Sequence, residues 1–88
     1  MVYPLYDMNP GERAEVVWLI SEPEMCSRLK ALGFLFGEPI TCVLKDSARS
    51  MAAYEVRGAV IALRTANTRE ILVRKTMGSE KSPLKFSK

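Results

Sequence analysis

The stretch Glu12-Arg13-Ala14-Glu15-Val16-Val17-Trp18-Leu19-Ile20, followed at once by Ser21-Glu22-Pro23-Glu24, decides how the chain folds. Its first part alternates. Ala14, Val16, Trp18 and Ile20 fall on one face, and Arg13, Glu15, Val17 and Leu19 on the other. Period two with β-branched and aromatic content predicts a strand. The second face turns apolar at Val17 and Leu19, so that end is expected to be covered. Ser21-Glu22-Pro23-Glu24 then reads as a capping box, with the Ser21 hydroxyl accepting from the N–H of residue 24 and Glu24 reaching back to residue 21. Pro23 falls in the first helical turn, where its missing N–H costs little. Met25, Leu29 and Leu32 follow at helical spacing on one face. Arg28 and Lys30 lie off that stripe, and Gly33 stops the helix at C′.

Upstream, Tyr3 to Gly11 reads as a lead-in. Asn9-Pro10-Gly11 is a turn signal, and Leu5 and Met8 are pegs into the core. Downstream, Gly33-Phe34-Leu35-Phe36-Gly37 is a compact apolar turn. It is not a phosphate loop, since no Gly-Lys-Ser/Thr follows. Nor is it a membrane dimer motif, since no long apolar run surrounds it. Pro39 to Lys45 is the next strand, with Ile40, Cys42 and Leu44 on one face. Asp46 to Ser50 is a polar loop. Met51–Val56 and Ala59–Arg64 are strands joined by a tight hairpin turn at Arg57-Gly58. Thr65 to Arg69 is a turn or single helical turn, and Ile71–Arg74 is the last strand. The reading is mainly β: five short strands, with one short helix after the first. That pattern predicts a small closed or nearly closed barrel, filled by its own side chains, among them Trp18, Tyr54 and Leu63. Function is then expected on the outer surface and loops.

Composition agrees with a small module. A chain of 88 residues is one domain, with 48% hydrophobic and 26% charged residues. It is too short for a separate cofactor domain. It has no histidine, so it lacks the commonest general base and metal ligand. Its two cysteines, Cys26 and Cys42, form no CxxC and read as buried, reduced thiols. The net charge of +3 resides entirely in residues 75–88, since residues 1–74 balance. The expected division is therefore a barrel domain over 1–74 and a basic, disordered tail over 75–88. Met1-Val2-Tyr3-Pro4 has no basic or apolar signal region, and the expected location is the cytoplasm.

Certain residues together resemble a known family. They are Leu5…Met8-x-Pro10-Gly11-Glu12, Arg28-Leu29-x-x-Leu32-Gly33-Phe34-x-x-Gly37, Glu55-Val56-Arg57-Gly58-x-x-Ile61-Ala62-Leu63-Arg64 and Ala66…Ile71-x-Val73. In this order and spacing, over about residues 5–74, the chain resembles the FeoA family, ferrous iron transport protein A. The resemblance implies an SH3-like barrel. It implies a small cytoplasmic accessory protein of bacterial ferrous iron uptake, whose partner is the cytoplasmic GTP-binding part of the FeoB membrane transporter. It also implies an association with transition-metal-ion binding, shared with related domains of metal-dependent repressors. This chain departs from the family pattern at Phe36, where many members carry Pro. It departs again at Asp46-Ser47-Ala48-Arg49-Ser50-Met51, which has no Gly or Pro.

The residues themselves offer no clustered donor set for a metal, so no intrinsic cofactor is expected. Fe(II) or another divalent ion enters by family association alone. The expected partner-binding residues are Arg28, Lys30, Phe34 and Phe36, a mixed basic and aromatic patch, with Arg57 at the hairpin turn. Arg64 is expected to pair internally with Glu55 or Glu70. The alternative function is a nucleic-acid-binding or other SH3-like adaptor module, against which the charge balance of residues 1–74 argues. No nucleophile elbow or phosphate loop supports an enzyme. An unclosed strand edge leaves a homodimer open.

Overall fold

The computed structural model describes residues 1–48 and 50–76. Within them the chain runs β1 (Val2–Pro4), a 3-10 turn (Leu5–Asp7), β2 (Arg13–Leu19), α1 (Pro23–Leu32), β3 (Pro39–Lys45), β4 (Met51–Val56), β5 (Ala59–Arg64), α2 (Thr65–Thr68) and β6 (Ile71–Lys75). The strands form one antiparallel sheet in the order β1-β6-β2-β3-β4-β5. There are six strands, not the expected five. The extra one is β1, which pairs Val2, Tyr3 and Pro4 with Arg74, Val73 and Leu72. It is too short to show alternation, and Pro4 is tolerated because β1 is an edge. The helix α1 thus follows the second strand, and Thr65–Thr68 is a second, one-turn helix. Lys75, expected to open the tail, is the last residue of β6. The expectation of a disordered tail otherwise lies outside the described residues.

One apolar cluster fills the curled sheet. Leu5, Met8, Ala14, Val16, Leu29, Phe34, Ile40, Cys42, Tyr54, Val56, Ile71 and Val73 are all essentially inaccessible to water. Leu5 and Met8 are the pegs expected of the lead-in. Tyr54 is the largest buried side chain, and its hydroxyl lies 3.5 Å from the Leu5 carbonyl oxygen. Burial pushes the Tyr54 phenol well above its ordinary range. The hairpin turn is as expected: Val56 pairs with Ala59, and Arg57 and Gly58 both have positive φ, 53° and 84°.

Two expectations about which side faces the core are overturned, for one reason. The register of β2 against β6 slips between Val16 and Trp18, and that of β3 against β4 slips between Cys42 and Leu44. Each slip is a bulge, and each reverses the in-out phase of the residues beyond it. Trp18, expected in the core, is 63% exposed, while Leu19 opposite Ile71 turns inward. Leu44, expected on one face with Ile40 and Cys42, is 53% exposed while those two are buried.

The helix start also differs. The N-cap is Glu22, with Pro23 as the first helical residue, and no side chain caps it. Ser21 is one position too early, and its hydroxyl instead donates to Glu70 Oε1 at 2.7 Å, tying the approach of α1 to β6. Leu32, expected on the buried stripe, is exposed, whereas Leu29 is buried.

Candidate functional site

The helix end builds the site. Gly33 adopts φ 114°, and the Phe34 N–H donates to the Leu29 carbonyl while the Gly33 N–H donates to that of Lys30. These paired bonds form a Schellman motif, which brings the residue after the glycine against the one five positions earlier. Phe34 therefore packs with Leu29 inside the core. The chain then turns outward through Leu35 and Phe36. The Gly37 N–H donates to the Val16 carbonyl at 2.7 Å, and the Val16 N–H donates to the Glu38 carbonyl at 3.0 Å. The loop is thus stitched to β2 directly before the bulge that turns Trp18 out.

The result is an open groove of ≈ 270 Å³ between β2, α1 and the 34–38 loop. Val17, Trp18, Cys26, Lys30 and Phe36 line it. Phe36 is 74% exposed, and Lys30 is exposed at the helix edge. The Cys26 thiol donates to the Ser21 carbonyl at 3.1 Å. An exposed tryptophan and phenylalanine beside a lysine can clasp an apolar side chain and hold a carboxylate next to it. The partly open space beside Tyr6, Lys45, Tyr54 and Thr68 is much smaller, ≈ 10 Å³, about one water.

Of the expected binding residues, Lys30 and Phe36 meet in the groove. Phe34 also lines the groove, but its side chain is buried in the core, so it forms the groove's floor and not an exposed contact. Arg28 is exposed on α1 but does not line the groove. Arg57 lies at the hairpin turn with its side chain beside Gly33, at the negative end of the α1 dipole. Arg64 is exposed and, among the described residues, pairs with neither Glu55 nor Glu70. The ion pair found there is Arg74 with Glu15. Trp18 is the residue that pattern reading missed. The apolar Val17 and Leu19 on the wrong face were its only sign.

Among the described residues no three His, Cys, Asp or Glu side chains converge to hold a metal. Cys42 is buried, and burial raises its thiol pKa. No described helix is long and apolar enough to cross a membrane.

A family model, the FeoA domain, matches residues 3–75. Among solved structures, a protein described as an iron uptake regulatory protein (FeoA) is 26% identical, with 86% of this chain and 100% of that one covered, at TM-score 0.76. The FeoA protein from Chlorobium tepidum is 24% identical over 96% of this chain and 80% of that one, at TM-score 0.79. A manganese-dependent transcriptional repressor in complex with manganese shares the fold at TM-score 0.79 and 15% identity, over 85% of this chain but 37% of its own. No curated protein sequence matches the chain.

Proposed function

The chain belongs to the FeoA family, and from that premise we propose that it is a cytoplasmic, non-catalytic accessory protein of ferrous iron transport that acts by docking on the GTP-binding part of a FeoB-like transporter. Fe(II) is the cargo of that system, and any GTP hydrolysis belongs to the partner. The observation that carries this reading is the groove. The largest exposed aromatic surface among the described residues, Trp18 with Phe36, flanks an open cleft. Aromatic anchors in a partly formed cleft are the usual energetic centre of a protein interface. The family relation to an iron uptake regulatory protein at 26% identity supports the same pathway.

Trp18 is the only tryptophan and reports on the groove directly. Titration with the isolated GTP-binding domain of the same organism's transporter, at physiological salt, is expected to shift its emission to the blue as the indole leaves water. Trp18→Phe with Phe36→Ala is expected to weaken binding at least about tenfold, near 1.4 kcal/mol. Poly-U and duplex DNA run beside it serve as controls. Binding to the nucleic acids alone, with steep salt dependence, overturns the proposal in favour of the nucleic-acid reading.

A further inference from the structure

The sheet has an open side that the groove does not use. Strand β5 has a single neighbour, β4, and stands at the end of the sheet opposite β1. Opposed residues in an antiparallel pair alternate between those that exchange both backbone bonds and those that exchange none. The two-residue turn puts Val56 and Ala59 in the bonded class. Tyr54 with Ile61 and Ala52 with Leu63 are then bonded as well. Val60 and Ala62, opposite Glu55 and Ala53, direct both their N–H and C=O groups away from β4; Arg64, opposite Met51, directs its N–H away, while its carbonyl opens α2 as the N-cap. No other described strand meets them.

The side chains of the same three residues are exposed, with Val60 at 64%. The outer face beside them stays apolar through Met51 and Leu44, which are 40% and 53% exposed. No proline and no acidic residue interrupts β5. Of the features by which a strand ordinarily blunts a sheet edge, β5 carries only the charge of Arg64 at its end.

We propose that β5 is a self-association edge, which pairs antiparallel with β5 of a second copy of this chain about a two-fold axis at Ala62. The register follows from the three outward residues. Ala62 faces Ala62 of the second copy, where small side chains let the backbones close. Val60 faces Arg64 of the second copy, so no like charges oppose each other. Glu55 lies next to Val60 on β4, and both Glu55 and Arg64 are exposed without an ion pair among the described residues. Across the joint, Arg64 of one copy covers Val60 of the other with its stem and carries its guanidinium toward Glu55. The interface thus supplies a carboxylate that Arg64 lacks among the described residues of its own chain.

The test is sedimentation of the full chain from micromolar to millimolar concentration, read together with amide hydrogen exchange. A monomer–dimer equilibrium is expected, with the Val60, Ala62 and Arg64 amides gaining protection as concentration rises. Ala62→Pro removes an outward N–H without costing a bond to β4, and is expected to abolish the dimer. Arg64→Glu is expected to weaken it roughly tenfold, and Glu55→Arg with Arg64→Glu to restore it. The charge variants keep the test decisive if the proline variant does not fold. A chain that stays monomeric throughout overturns the proposal. So does a dimer indifferent to these substitutions, or protection of the three amides that does not change with concentration, which means that the chain covers its own edge.

Discussion

Gly33 carries two requirements at one position. Its φ of 114° disfavours any side chain, and a Cβ there would stand 2.8 Å from Val56 Cγ1 and 2.9 Å from Arg57 Cδ. Arg57 is exposed and can swing aside, but Val56 is buried and cannot. Gly33→Ala is therefore expected to cost about 2–4 kcal/mol, combining left-handed strain with overpacking, read as a lower urea midpoint. The two phenylalanines after it separate in the same assay. Phe34→Ala opens a core cavity and is expected to cost about 3–5 kcal/mol, enough to unfold much of so small a domain. Phe36→Ala is expected to stay within about 0.5 kcal/mol. Tyr54 and Cys42 set the response to alkali. Burial raises both folded-state pKa values above their unfolded ones, so both groups favour the folded state while neutral. That stability is complete below their ordinary pKa values, 9.0 for the thiol and 10.0 for the phenol, and is lost as pH rises beyond them. Tyr54→Phe is expected to flatten the fall in melting temperature above about pH 10.

At the scale of elements, two single-residue bulges shape the surface. The bulge at Val17 turns Trp18 out of the core and into the groove, and brings Leu19 in against Ile71. The bulge at Val43 turns Leu44 out and aims Lys45 at Tyr6, 5.3 Å from the ring centroid, where Arg69 also stacks at 4.6 Å. Cation contacts of this kind contribute about 0.5–1 kcal/mol at exposed sites. Trp18→Ala is accordingly expected to leave stability within about 0.5 kcal/mol of the parent, whereas Leu19→Ala costs about 1–3 kcal/mol. Thermal melts of the two variants, one residue apart, check the phase of the strand directly.

For the whole molecule, the sheet order places the proposed docking groove and the proposed self-association edge on different strands, β2 and β5. If β5 joins two copies, folding and association are linked, and the melting temperature is expected to rise with protein concentration. Ala62→Pro should make it independent of concentration. Two of the five strand pairings, β1 with β6 and β2 with β6, join residues more than fifty positions apart. Refolding followed by far-UV circular dichroism is therefore expected in milliseconds to seconds, rather than in the microseconds of helical bundles.

The features that local sequence determines are legible without the structure. Strand alternation, the stop at Gly33, the turn at Arg57-Gly58 and the apolar pegs Leu5 and Met8 all rest on backbone preference or on period. Each is a property of a few neighbouring residues. Lys30 and Phe36 were readable as neighbours on one surface, because a charge and an aromatic beside a helix end are visible in sequence. Tertiary structure decided the rest. Whether Trp18 faces in or out depends on its register against β6, more than fifty residues away, and a bulge reverses it without changing the local pattern. Phe34 is buried because the Schellman motif folds it back on Leu29, and the same sequence would equally describe an exposed turn. Ser21 meets Glu70 and not the helix, because the longer-range partner lies nearer once β2 and β6 pair. Local residues set which conformations are available, and the pairing of distant strands selects the side that each residue presents.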